Sequence, residues 1–286
     1  MIVNALRSLI LALPLIVINA NAEEPTSLAN TPLTSGPSDV PFLNQAVLKL
    51  PSGYAFMDKE HGAKLMRQVG NSVNDSTFLG LIMPEQSGKN WFVVAEYEPS
   101  GYIKDDDAKD WDADDLLKSL REGTEAGNKE RRARNIPEFD VTGWLEKPNY
   151  QSSNHRLVWA ALTKEKNAAA NQGLGVNYNT YALGREGYIS LNLVTEASSV
   201  ETDKAAAKEL LSALQFNNGK RYEDFNSSTD HVAEYGLAAL VAGVAAKKLG
   251  FLAMIGVFFT KFFKIIAVAA IGLVAGIKRL FNRSSD

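Results

Sequence analysis

The fold is decided by the stretch Val176–Leu183 (VNYNTYAL), followed by Gly184–Gly187 (GREG) and Tyr188–Thr195 (YISLNLVT). Polar and apolar residues alternate in both runs, which is the period of a β-strand with one buried face. The four residues between them begin and end with glycine, which tolerates the backbone angles of a tight turn. We therefore predict a β-hairpin, whose two strands are antiparallel neighbours.

Further strands and helices flank this hairpin. Strand-like runs occur at Thr77–Met83, Trp91–Tyr97, Asp140–Glu146 and Arg156–Leu162. Helices are predicted from the N-cap Asp58 to Val69, at Ala113–Arg134 after the N-cap Asp112, and at Glu201–Leu214. Mostly consecutive strands with few helices indicate an α+β fold rather than βαβ repeats. We predict one mostly antiparallel domain over residues 42–225.

The N-terminus has the pattern of a secretory signal. Arg7 is followed by the apolar run Leu9–Ile18 and by the small-x-small site Ala20–Ala22. An uncleaved anchor is the alternative, but this run is short against the roughly 20 residues that a membrane helix needs. We predict a signal peptide at 1–22. Because proline and small polar residues dominate 23–41, we predict a flexible tether there.

The C-terminal segment, 226–286, is predicted to be helical and membrane-associated. Residues 236–286 contain seven Lys and Arg against one acid, between three apolar blocks. Leu249–Ile277 is long enough to cross a bilayer once. The cations after it predict a cytoplasmic C-terminus, so the main domain faces the periplasm from the inner membrane.

Most cations of this tail fall on one side of a predicted helix, which leaves three interpretations. These cations are Lys247, Lys261, Lys264, Lys278 and Arg279, whereas Lys248 lies outside this sector. They contact anionic membrane lipids, or the helix lies in the membrane interface, or several helices form a pore. The spacing of Gly272 and Gly276 would allow a homo-oligomer through this helix.

Composition excludes several classes of function. The chain has no cysteine, so disulfides and thiolate metal sites are absent. Residues 23–235 carry 22 Lys and Arg against 32 Asp and Glu, which argues against nucleic acid as a partner. No P-loop, zinc-protease or serine-hydrolase motif occurs. We therefore predict no catalytic residue, no metal site and no cofactor.

Two polar groups of residues are candidates for ligand binding. The acidic cluster that includes Asp105 and Asp107 departs from the calcium-loop pattern, and acids before a helix are explained by its dipole. The helix after it carries a polar stripe and two glycines, Gly123 and Gly127, where another backbone or a ligand comes close. The candidates from this region are Lys104, Asp105, Asp107, Arg121, Glu125, Asn128 and Arg131.

Aromatic and amide side chains form a second candidate region. On strands these residues pack in a core or line a groove for carbohydrate or peptide. The candidates are Trp144, Asn177, Tyr178, Asn179 and Arg185, beside the aromatic residues Tyr150 and Trp159.

Several ordered motifs resemble a bacterial family. The chain is similar to the membrane-anchored family known as domain of unknown function 2167 over roughly residues 42–250. The motifs are Gly101–Asp107, Leu116–Thr124, Asn128–Arg131, Gly143–Trp144, His155–Trp159, Val176–Thr180, Leu183–Arg185 and Tyr235–Gly250. The resemblance implies an exported, membrane-anchored protein, and it implies no activity, cofactor or catalytic residue.

Three functions remain open at this point. The first is a non-enzymatic periplasmic module that binds an envelope protein or a cell-wall component. The second is a hydrolase or transferase that uses Asp105, Asp107 and Glu125, helped by Arg121 or Arg131. The third is a membrane-active oligomer of the tail. We favour the first, because no catalytic group of residues is recognisable.

Overall fold

The structure is a computed structural model that describes residues 32–68, 73–86, 89–109, 111–133, 135, 137–167 and 173–242. These residues belong to one compact unit. No helix among them is long and apolar enough to cross a membrane. The predicted signal peptide and the predicted membrane span, 249–277, lie outside the described residues.

Eight strands form the main sheet. They are β1 (Thr34–Ser35), β4 (Tyr54–Asp58), β5 (Phe78–Pro84), β6 (Phe92–Glu98), β7 (Phe139–Gln151), β8 (Arg156–Glu165), β9 (Gly175–Leu183) and β10 (Tyr188–Glu196). Their order is β1-β4-β5-β6-β10-β9-β8-β7, and each neighbouring pair is antiparallel. The predicted hairpin is present as β9 and β10, closed by Gly184 N–H donating to the carbonyl of Gly187 at 2.8 Å. The α+β prediction is confirmed.

A smaller antiparallel sheet was not predicted. It contains β2 (Ser38–Phe42), β3 (Ala46–Leu50) and β11 (Leu214–Phe216), in the order β11-β3-β2. The strands β1 and β2 lie within the segment predicted as a tether, so the folded domain begins before residue 42. These short strands were not predicted because proline and small polar residues, which are typical of loops, dominate the segment.

Four α-helices among the described residues pack on the sheets: α1 (Lys59–Gln68), α2 (Ala113–Ala133), α3 (Val200–Ala213) and α4 (Ala238–Ala242). Two predicted N-caps are confirmed. The Asp58 carboxylate accepts the His61 amide at 3.0 Å, and Asp112 accepts the amides of Asp114 and Asp115 at 2.8 and 3.1 Å. These bonds satisfy amides that have no partner within the helix.

The large sheet has a core on each face, because successive side chains of a strand point to opposite sides. On β8, Val158 and Ala160 face the core that contains α3 and the small sheet. Leu157 and Trp159 face the opposite core, which contains α2 and α4. Helix α1 covers the same face further along the sheet, over β4 and β5.

Residues 226–242 are part of this domain, so its predicted end at 225 was too early. Val232 pairs with Tyr102 in a parallel bridge, and Leu237, Leu240 and Val241 are buried. The first apolar block of the tail therefore begins as a core helix that packs on α2. An apolar run of about ten residues is too short to span a bilayer by itself, and its packing here places its first residues in the protein core.

Candidate functional site

A cleft of about 310 Å³ opens where one end of the main sheet meets the small sheet. Its walls come from the start of β8, the end of β9, strand β11 and the turn at residues 221–223. It is lined by Asn154, His155, Arg156, Ala182, Leu183, Leu214, Gln215, Phe216, Arg221, Tyr222 and Glu223. Charged side chains and an apolar wall thus meet in one concave surface, which is the usual composition of a ligand site.

His155 occupies an unusual backbone conformation at the rim of the cleft. It ends the tight turn between β7 and β8 with a φ of 52°, in the left-handed region that L-residues rarely adopt. Its carbonyl accepts the Leu183 amide at 3.0 Å, which ties the turn to the end of β9. A non-glycine residue held in this region costs about 1 kcal/mol or more, and such residues concentrate at functional sites.

The imidazole of His155 joins a polar network. The Tyr150 hydroxyl donates to Asp105 Oδ2 at 2.7 Å and lies 3.0 Å from His155 Nδ1. The other ring nitrogen, Nε2, lies 3.6 Å from Oε1 of Glu223. Burial, followed by the hydrogen bond to Asp105, holds the pKa of Tyr150 well above its ordinary value, so this hydroxyl stays a donor.

An aromatic stack supports the imidazole from one side. The His155 ring stacks on Tyr222 with centroids 4.0 Å apart, and Tyr102 lies against Tyr222 and Phe225 at 4.4 and 3.8 Å. The Tyr222 hydroxyl donates to the Ile103 carbonyl at 2.8 Å. Burial raises the pKa of Tyr222 far above its ordinary value, so it too remains neutral. The stack fixes the ring orientation without adding charge.

The arrangement is suited to binding. A neutral or protonated imidazole and two guanidinium groups can donate hydrogen bonds to a polar ligand. The described residues that line the cleft include no serine, threonine or cysteine that could act as a nucleophile. No described group of three or more His, Asp or Glu side chains is placed to hold a metal ion.

The acidic candidates have separate local partners. Asp105 accepts the Tyr150 hydroxyl and so touches the cleft network, whereas Asp107 caps α4 through the amides of Leu237 and Ala238 at 3.1 and 3.0 Å. Lys104, which directly precedes Asp105, is exposed. The predicted acidic cluster therefore contributes one residue, Asp105, to the site.

The polar stripe of α2 attaches this helix to the edge strand β7. Arg121 donates to the carbonyls of Val141 and Thr142 at 2.9 and 2.7 Å. Asn128, which is 1% exposed, exchanges hydrogen bonds with both backbone groups of Phe139. Arg131 donates to the Pro137 carbonyl at 2.5 Å. A helix docked in this way covers a strand edge that would otherwise be free to pair with another chain.

Glu125, the remaining candidate on this stripe, lies in an exposed ion-pair group. Its carboxylate is 2.5 Å from Lys166 Nζ and 3.6 Å from Arg132. The pKa of Glu125 is lowered, first by the hydrogen bond from Lys166. The Glu125 carboxylate is therefore ionised at an exposed position outside the cleft.

The second group of candidates does not form one groove. Tyr178 belongs to the core under α3, while Asn177 and Asn179 alternate with it on β9 and are buried on the opposite face. Trp144 donates to the Ala113 carbonyl at 2.9 Å. Arg185 makes a bidentate pair with Asp230, with distances of 2.6 and 2.8 Å. These contacts hold the fold together.

Sequence reasoning missed most of the cleft. The candidate binding residues chosen from the sequence include none of His155, Arg156, Arg221, Tyr222 and Glu223. The available signal was the resemblance motif His155–Trp159, whose first two residues line the cleft. The motif did not indicate which distant segment would face it.

The fold and the cleft define a class: a two-sheet α+β domain with a polar surface cleft and no recognisable catalytic group among its described residues. Within that class, the chain belongs to the family described as "Protein of unknown function (DUF2167)", whose family model matches residues 34–272. The family membership predicted from the sequence is thereby confirmed. A search of curated proteins found no match.

Two solved structures are distantly similar. One is cyanobacterial PsbP (CyanoP) from Synechocystis sp. PCC 6803, with 11% identity, a TM-score of 0.36 and coverage of 65% of this chain and 92% of that chain. The other is a mutant of protein Mog1, with 13% identity, a TM-score of 0.27 and coverage of 71% and 98%. These similarities are too low to carry an argument about this chain.

Proposed function

We propose that this chain is a cell-envelope protein anchored in the inner membrane, whose folded domain faces the periplasm and binds a partner rather than performing a reaction. The signal-like N-terminus and the apolar, basic tail support export and anchoring. In this proposal the tail contacts membrane lipids and has its end in the cytoplasm. Self-association would use the small residues Gly272 and Gly276.

The cleft at His155 is the observation that carries the binding proposal. It presents His155, Arg156, Arg221 and Glu223 on one concave surface. By contrast, the polar residues of α2 and the hairpin residue Arg185 are engaged in bonds that hold elements together. A binding partner from the envelope, either a protein or a cell-wall component, would therefore be recognised at the cleft.

The alternative of a carboxylate enzyme has less support. It requires two carboxyl groups in one cleft with pKa values shifted in opposite directions. Asp105 bonds to Tyr150, Asp107 to the start of α4, and Glu125 to Lys166. With three different partners, these acids do not form the required pair.

Membrane topology can be tested directly, because the chain has no native cysteine. Single cysteines at Ser227 and Ser284 are labelled in intact cells with a membrane-impermeant maleimide. We expect labelling at Ser227→Cys, and labelling at Ser284→Cys only after permeabilisation. Labelling at both positions in intact cells would contradict a single crossing and favour a tail that crosses twice as a hairpin or lies on the membrane.

Ligand binding at the cleft is tested with a photoreactive maleimide on Gln215→Cys, an exposed residue that lines the cleft. Lys64→Cys, exposed on α1, is the matched control because α1 packs over β4 and β5, and neither of these strands lines the cleft. We expect discrete crosslinked products in cells from position 215 and none from position 64. The same products from both positions, or none from either, would refute binding at the cleft.

A further inference from the structure

The guanidinium groups of two arginines of the cleft, Arg156 and Arg221, have no carboxylate partner among the described residues, as is also true of Arg121, which donates to two backbone carbonyls. Three other described arginines do have one. Arg67 pairs with Asp75, Arg132 with Glu138, and Arg185 with Asp230. Among the described residues, no carboxylate lies within ion-pair distance of the guanidinium of Arg156 or of Arg221. A guanidinium group remains charged at every physiological pH, so these two charges are present whether or not a counter-ion is bound.

Arg156 is half-buried, and its charge is poorly compensated there. Its guanidinium donates to the Leu214 carbonyl at 3.3 Å, which is a long bond for one of its five donors. Burial lowers the pKa of Arg156, because the charged form loses contact with water. A charge taken partly out of water is destabilising unless an opposite charge accompanies it. Binding an anion here would remove that cost.

Arg221 is exposed but held in place by the backbone. Its residue forms an isolated antiparallel bridge with Gly184, and the Arg185 amide donates to the Lys220 carbonyl at 3.0 Å. Gly184 has no room for a side chain, since a Cβ there would lie 2.5 Å from the Phe216 ring. The Arg221 guanidinium donates to Asn218 Oδ1 at 2.8 Å. Its position at the rim is therefore fixed before any ligand arrives.

The acid in the cleft does not neutralise these arginines. Glu223 points to Nε2 of His155, at 3.6 Å, and its side chain is 65% exposed. The apolar part of the wall, Leu183, Leu214 and Phe216, limits the water that screens a bound charge. About 310 Å³ is room for a phosphate or carboxylate group together with a short substituent.

We infer that the cleft binds an oxyanion, a phosphate or carboxylate group, through the guanidinium groups of Arg156 and Arg221. This inference rests on the proposed function, in which the cleft is the ligand site. Arginine is suited to the task because its planar set of donors matches two oxygens of either group. The oxyanion belongs to a free small molecule or to the headgroup of an anionic lipid, and the two sources are separable by experiment.

The test uses the full-length chain in a neutral detergent, with a trifluoromethyl label on Gln215→Cys as a local reporter of the cleft. The ¹⁹F resonance is followed while inorganic phosphate or acetate replaces chloride at constant ionic strength. In the second arm the chain is reconstituted without detergent into vesicles of phosphatidylglycerol or, for comparison, of phosphatidylcholine. A shift with the small anions assigns a free ligand, and a shift only with phosphatidylglycerol assigns a lipid headgroup.

Variants show whether the arginines are responsible. Arg221→Gln, at an exposed position, should weaken binding about tenfold or more, as expected for loss of a charge-assisted pair. Arg156→Lys keeps the charge and should weaken binding less than Arg156→Gln, because lysine lacks the planar fork. Arg67→Gln on α1 removes the same charge outside the cleft and should leave the affinity unchanged.

Two results would overturn the inference. One is the absence of any shift with phosphate, acetate or phosphatidylglycerol, and the other is equal weakening by Arg67→Gln and Arg221→Gln. Crosslinked products from position 215 that persist under either result would leave the binding function standing and reject only the oxyanion. Absence of both crosslinks and shifts would reject the cleft as a ligand site.

Discussion

The carboxyl group of Glu96 offers a quantitative test of the structure. Glu96 lies on the central strand β6, directly opposite Ser190 of β10. Burial, followed by repulsion from Glu98, raises the pKa of Glu96 from its ordinary value of 4.5 to about 7. The folded domain therefore holds a proton on Glu96 in a pH range where the unfolded chain has lost it.

The sign of the effect on stability follows from this difference. Between pH 4.5 and about 7 the folded state binds more protons than the unfolded state, so the free energy of unfolding falls as the pH rises. A shift of about 2.5 pKa units corresponds to at most about 3.5 kcal/mol, since each pKa unit is worth about 1.4 kcal/mol. The loss is complete above the folded pKa and absent below the unfolded one.

Glu96→Gln removes the titration and keeps the shape of the side chain. We expect the variant to be more stable than the wild-type protein at pH 8, by up to about 3.5 kcal/mol. The advantage should shrink steadily as the pH falls from 7 to 4.5. Denaturant unfolding followed by tryptophan fluorescence at several pH values measures this difference.

Glu85→Gln is the matched control, because it removes the same charge from an exposed position. A stability difference between Glu96→Gln and wild type that stays constant from pH 4 to pH 8 would refute the reasoning. So would a pH-dependent difference of the same size in Glu85→Gln, because the effect would then come from net charge rather than from burial of Glu96.

Three further predictions concern local contacts, each measured by denaturant unfolding. Asp107→Ala should cost about 1 kcal/mol by uncapping α4, whereas equal stability would contradict the cap. Gly127→Ala should stabilise α2 by up to about 1 kcal/mol, since no described atom lies within 4 Å of the added methyl group; destabilisation would indicate a contact there. The pKa of Asp230 is lowered, first by its hydrogen bond from Arg185, so its contribution to the free energy of unfolding is lost as the pH falls below 4. The variant Asp230→Asn should therefore lose less stability in acid than the wild-type protein does.

The two glycines of α2, Gly123 and Gly127, show which part of a tertiary contact a sequence pattern can predict. Their spacing predicted that a backbone or a ligand approaches this helix, and one approach is present, since a Cβ on Gly123 would lie 3.4 Å from the Ala242 carbonyl. Nothing in the pattern of residues 113–133 indicated that the approaching segment would be α4. The partner lies more than 100 residues away, and its choice depends on the packing of the whole domain.

Candidate binding residues were harder to predict than secondary structure, for the same reason. Arg121, Asn128 and Arg131 have the residue types and spacing of a binding stripe, but they bond to the backbone of β7. A polar side chain satisfies a neighbouring strand edge with the same donors that would satisfy a ligand. Only the position of β7 distinguishes the two roles.

By itself, the sequence determined the six long strands β5 to β10, the three longer helices and the antiparallel pairing around the turn at Gly184–Gly187. Alternation, helix capping and turn glycines act over a few residues, so they can be read without knowing the rest of the chain. Tertiary structure alone decided that Asp107 caps α4, that residues 34–42 join the domain, and that Arg156 and Arg221 share a cleft. These contacts join distant segments, whose meeting depends on the sheet order and on the burial of both of its faces.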